Sequence, residues 1–215
     1  MSGTRKIRGQ RKLTQRIEGW RTANLELDLQ QLAERQYEYV KVWISPWDNL
    51  RYKERDFTGP RSTHRTSIVQ SLIDIYDSWE QQLNQLGEPF YLKIWLYEPR
   101  VTSSQVVCAT GERINYYDTL FREPENQPTF PDLRYKSIND QLKQFNWEPR
   151  IDEEIIENDF WPIEGYATPE DYYFDQRLYR KLERSNHRRE EYKSGETKGI
   201  RYFVPKGTVW IGGRK

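Results

Sequence analysis

The clearest apolar period in the chain is helical. Ile68, Leu72, Ile75, Trp79, Leu83 and Leu86 recur every three or four residues and predict a helix over about 60–86. Thr58-Gly59-Pro60 supplies a start signal, Gly87 a C-terminal cap, and Pro89 a stop. Alternation follows. Leu92, Ile94 and Leu96 face one way, and Tyr91, Lys93, Trp95 and Tyr97 the other, so 90–97 is a strand. Val106, Val107 and Cys108 mark a second strand over 104–110, and the link containing Pro99 predicts a hairpin.

Upstream, Leu13, Ile17 and Trp20 predict an amphipathic helix over 10–22 with Arg11, Lys12, Arg16 and Arg21 on its other face. Residues 25–32 fit a strand or a helix equally. Tyr37 to Ile44 is rich in β-favouring types and predicts a strand ended by Pro46. Downstream, Pro124, Pro128 and Pro131 make 122–136 a loop, and 137–146 reads as a short helix. The acidic stretch 147–167 reads as a surface segment. Thr168-Pro169-Glu170-Asp171 opens a further helix carrying Phe174, Leu178 and Leu182. The polar stretch 183–198 reads as its extension, which projects into solvent, contacts a partner or frays. Ile200–Val204 and Thr208–Ile211 read as a hairpin around Pro205-Lys206-Gly207.

This order predicts one α+β domain over 1–215. Its antiparallel sheet carries the long amphipathic helix on one face, with extra helices in the N- and C-terminal parts. Core material comes largely from 8 Trp, 15 Tyr and 8 Phe, since aromatics bury the most area per side chain. One cysteine excludes an internal disulfide, and no apolar run approaches a membrane span, so a cytoplasmic setting is expected.

The net charge of +1 conceals an asymmetry. Met1–Arg21 holds seven bases and one acid, 146–171 nine acids and one base, and 198–215 five bases and no acid. Either the basic ends fold onto the acidic segment, or they meet a polyanion partner.

No chemical motif stands out. His64 and His187 are far apart, and no paired-cysteine or histidine motif, nucleophile elbow or phosphate loop occurs. No cofactor or metal is therefore expected. Cys108 reads as a buried, inert thiol and His64 as exposed. An enzyme built on Asp152, Glu153, Glu154, Glu157 and Asp159 is the weakest reading. The suggestive residues are Arg5, Lys6, Arg8, Arg11, Lys12 and Arg16, which would bind a polyanion or a partner.

Lys6-Ile7-Arg8-Gly9, Trp43-Ile44-Ser45-Pro46, Arg65 with Ile68–Asp74, and Gly207–Gly212 resemble a bacterial family of unknown function. The likeness spans most of the chain as four short islands, with 147–171 and 183–198 standing outside it as insertions would. It implies no established activity. By analogy with small bacterial proteins of that kind, it points to an immunity- or antitoxin-like partner. The leading expectation is therefore a non-enzymatic protein-binding module. The alternative is a nucleic-acid-binding protein that uses the basic N-terminal helix.

Overall fold

The computed structural model describes residues 4–35, 38–51, 62–115, 121–160, 169–185, 187–194 and 197–214. The order is α1 (Thr4–Ala23), α2 (Leu29–Glu34), β1 (Val40–Trp43), α3 (Ser62–Leu86), β2 (Phe90–Glu98), β3 (Gln105–Thr110), α4 (Asn139–Leu142), β4 (Phe145–Phe160), α5 (Pro169–Arg184), β5 (Arg188–Ser194) and β6 (Thr197–Arg214). The strands form one antiparallel sheet in the order β1-β3-β2-β6-β4, with β5 beside β6. This is the α+β arrangement that the apolar pattern predicts. No helix among the described residues is long and apolar enough to cross a membrane. The chain divides into two compact units, Met1–Ile151 with Gly207–Lys215, and Asp152–Lys206.

The first unit is built on the β2–β3 hairpin, which pairs Leu92 with Cys108 and Ile94 with Val106. Leu92, Ile94, Leu96, Val106 and Cys108 enter one core with Ile68, Leu72, Ile75, Trp79 and Leu83 of α3. Gly87 has φ +68°, the left-handed conformation that lets the chain leave α3. The opposite face of the hairpin is also dry. Tyr91, Trp95, Val107, Ala109, Val209 and Ile211 are buried there, with Tyr39 and Phe121 packed against them. Trp95 meets Tyr39 and Phe121 edge-on, and its Nε1 donates to the Tyr91 hydroxyl at 2.9 Å. A run of residues inward on both faces is what a strand covered on two sides requires.

The second unit has a small apolar centre of Leu182, Tyr202 and Phe203. Charge and stacking supplement it. The Arg188 guanidinium lies 3.4 Å from the Phe203 ring centre, and Arg201 lies 4.3 Å from that of Tyr192. Tyr179 stacks on Tyr202 and donates to the Glu157 carbonyl at 2.8 Å.

Four sequence expectations change. Residues 147–160, read as a surface segment, are strand, with cations set against their carboxylates: Glu153 pairs with Arg188 of β5, and Glu154 and Glu157 with Lys206 and Arg201 of β6. The polar stretch after α5 is not a helical extension but β5, whose backbone pairs with β6 from Arg188↔Phe203 to Ser194↔Thr197. The C-terminal hairpin is one continuous strand. Pro205 falls between the β6 residues paired with β5 and those paired with β2, where its missing N–H costs neither ladder a bond. His64 is buried, at 5% exposure, because it stands one turn before Ile68 and extends the α3 stripe. The open choice over 25–32 resolves to α2, capped by Asp28 Oδ1 accepting from Gln31 N at 2.9 Å. Thr58-Gly59-Pro60 and Thr168 lie outside the described residues.

Burial pushes the Cys108 thiol from 9.0 up to about 12, and the Tyr76 hydroxyl from 10.0 to about 12. Both groups hold their protons more tightly folded than unfolded. Their contribution to stability is therefore complete below the unfolded values and is lost as pH rises toward 12. The urea midpoint should stay level to about pH 9 and fall from there to about 12. In Cys108→Ala the fall should begin nearer pH 10. A midpoint rising across that window would contradict this account.

Candidate functional site

The candidate site lies where α1 meets the turn that follows β1. Helix α1 turns Leu13, Ile17 and Trp20 into the core shared with α3. Its end is tied to α3 by several bonds. Arg21 pairs with Asp74 at 2.7 Å and with Glu18. Trp79 Nε1 donates to the Asn24 carbonyl at 2.9 Å, and Ser78 Oγ to that of Leu25 at 2.7 Å. With the apolar stripe fixed inward, helical spacing sets positions 12, 16, 19 and 23 along one other stripe.

The turn is rigid for local reasons. Ser45 N donates to Asn49 Oδ1 at 2.7 Å, Ser45 Oγ to Asp48 Oδ2 at 2.8 Å, and the Asn49 and Leu50 amides to the Ser45 carbonyl at 3.1 Å. Arg16 Nη1 donates to the Leu50 carbonyl at 2.8 Å and joins helix to turn. The two frame a groove of about 450 Å³ lined by Arg16, Gly19, Trp20, Ala23 and Asn24 from the α1 side and by Asp48, Asn49 and Arg51 from the turn. Trp47, in the same turn, is 45% exposed.

Of the six basic residues singled out in the sequence, Arg11 and Lys12 are exposed and make no ion pair with a described residue. Arg16 is half-buried at the groove. The side chains of Arg5, Lys6 and Arg8 lie outside the described residues, although α1 itself begins at Thr4. Arg51, Asn24, Asn49 and Trp47 were missed. Only the density of charge and aromatics around Trp47–Arg51 could have signalled the turn residues, because the Ser45 turn alone brings Asn49 and Arg51 to α1. The C-terminal bases are engaged by acids: Arg201 and Lys206 by Glu157 and Glu154, and Arg214 by Asp77. Of the five bases in 198–215, Arg201 and Lys206 thus meet the acidic segment and Arg214 meets α3, while Arg11 and Lys12 are exposed.

A second polar cluster is buried in the first unit. Glu98, 7% exposed, accepts from the Tyr135 hydroxyl and from Arg134 Nη1 at 2.6 Å, with Arg65 at 3.9 Å. Burial and the hydrogen bond to Glu98 push the Tyr135 hydroxyl well above its ordinary value, so it remains a donor. Every oxygen of this carboxylate is satisfied from within the fold, which fits a structural role. Among the described residues no group of three or more His, Cys, Asp or Glu side chains could hold a metal ion. Comparison of the chain with protein-family models, curated proteins and solved structures finds no match.

Glu98→Ala should cost about 1–3 kcal/mol in urea unfolding, because it leaves the buried Tyr135 hydroxyl without its acceptor. A loss under about 1 kcal/mol would place the cluster among ordinary surface pairs.

Proposed function

We propose that the chain is a non-enzymatic binding protein whose partner is a nucleic acid, held by its phosphates on the outward stripe of α1 and the Ser45–Arg51 turn. One observation carries the reading. The basic stripe of α1 leads into a groove that Arg51 lines from the opposite side, and the one carboxylate there, Asp48, is already hydrogen-bonded by Ser45. Guanidinium and ammonium groups in solvent attract phosphate along a track. Asn24, Asn49 and the exposed Trp47 add amides and a ring face that bases can use.

A second reading rests on a different feature. Strand β1 is an edge of the sheet, and Trp43 on it is 48% exposed with Lys41 Nζ 5.8 Å from its ring centre. An exposed edge that carries a large aromatic suits a partner protein. The protein-binding module, the leading expectation from the sequence, is the second reading here.

Fluorescence anisotropy with a labelled 20-nucleotide single strand and a duplex of the same sequence tests the first reading. Binding should weaken steeply with salt. Arg11→Gln/Lys12→Gln/Arg51→Gln should reduce the log–log salt slope by about 2, at roughly 0.7–0.9 per phosphate contact. Affinity unchanged in the triple variant would overturn it. For the second reading, a protein that co-purifies after nuclease treatment should be lost in Trp43→Ala and retained in the triple variant.

A further inference from the structure

We propose a second site, a small-molecule pocket for a flat aromatic acid carrying a ring N–H, at the junction of α4 and β4. It shares no residue with the α1 groove and does not rest on the nucleic-acid reading.

The pocket has a volume of about 400 Å³ and is lined by Thr129, Phe130, Asn139, Leu142, Lys143, Phe145 and Trp147. That size falls within the range of about 300–1,000 Å³ typical of small-molecule sites, which pair apolar walls with a few polar groups.

Its aromatic wall is fixed in place. Phe130 stacks on Trp147 with centroids 4.5 Å apart and an interplanar angle of 13°, and Phe145 lies 5.5 Å from Trp147. Trp210 meets Phe130 edge-on from the core at 5.2 Å. The Trp147 Nε1 donates to the Leu142 carbonyl at 2.9 Å, so the indole is held in one orientation. Gly212 of β6 lets the ring approach the backbone, since a Cβ there would overlap it. A wall set in this way stacks a flat ring without paying to order itself.

The polar groups select among flat rings. Asn139 and Lys143 stand one turn apart at the two ends of α4. Lys143 is 64% exposed, with Asp140 as its nearest acid at 4.0 Å, so its charge is open to an anion. The Asn139 Oδ1 is buried with no hydrogen-bond donor among the described residues. An acceptor in that state is costly, and a ligand N–H that reached it would relieve the cost. Together these groups recognise a planar ring, an N–H on its edge and a carboxylate.

Calorimetric titration of the full chain with indole-2-carboxylate tests this. The controls are indole-2-carboxamide, which lacks the charge, and benzofuran-2-carboxylate, which lacks the N–H. Indole-2-carboxylate should bind at one site per chain. The carboxamide should bind about three- to fivefold more weakly, and Lys143→Gln should erase that difference. The benzofuran acid should bind about fivefold more weakly, with the gap closed in Asn139→Ala. Thr129→Trp, a change at an exposed rim position, should abolish binding while leaving Tm unchanged. Absence of saturable binding up to millimolar ligand would overturn the site, as would binding that survives Thr129→Trp. Equal affinity for all three compounds would overturn the assigned ligand class.

Discussion

The β2–β3 hairpin has no solvated face, and the rest of the first unit is placed by the need to cover it on both sides. On one side α3 lays its aliphatic stripe across Leu92, Ile94, Val106 and Cys108. On the other, Tyr39, Tyr91, Trp95 and Phe121 close over Val107 and Ala109 with edge-to-face contacts. The position of α3 then sets that of α1, because Leu13, Ile17 and Trp20 share its core and Asp74, Ser78 and Trp79 bond the end of the helix. The exposure of Lys12 and the half-buried place of Arg16 against the Leu50 carbonyl follow.

A chain this polar, with mean hydropathy −1.02, reaches stability by letting charged groups work beside aromatic ones. The guanidinium groups of Arg188 and Arg201 lie over the rings of Phe203 and Tyr192 while they pair with Glu153 and Glu157. The Glu98 cluster uses the same chemistry at greater depth. A single buried carboxylate gathers Tyr135, Arg134 and Arg65, and so ties the end of β2 to α3 and to the 3-10 turn Asp132–Ile138. Such a cluster fixes one arrangement, because no other placement satisfies all its members.

The two proposed binding surfaces have a common physical origin. Each lies where a helix end meets the chain that continues from a strand or leads into one, and each has its shape fixed by side chains whose hydrogen bonds are already made: the Ser45 turn in one, Trp147 on the Leu142 carbonyl in the other. Rigid surroundings leave a few groups open, namely Arg51 at the groove and Lys143 at the pocket. They differ in what they leave open, with a track of cations at α1 and an aromatic wall at β4.

The amino-acid sequence by itself determined α1, α3, the β2–β3 hairpin and α5, because their apolar periods of 3.6 and 2 are local and strong. It also determined the inert Cys108, flanked by apolar neighbours on an inward strand, and the basic character of α1. Only the tertiary structure decided the rest. The acidic 147–160 and the polar 188–194 became strands because cations and rings on neighbouring strands neutralised and covered them, which no local window contains. Residues 197–214 became one strand because its partners change on either side of Pro205. Arg51 and Asn49 joined Arg16 through a turn whose bonds run from Ser45 to Leu50. Asn139 met Phe130 and Trp147 through the packing of Trp147 on Gly212, far along the chain. Sites of this kind are assembled by long-range packing, and composition and periodicity report only what lies within a few residues.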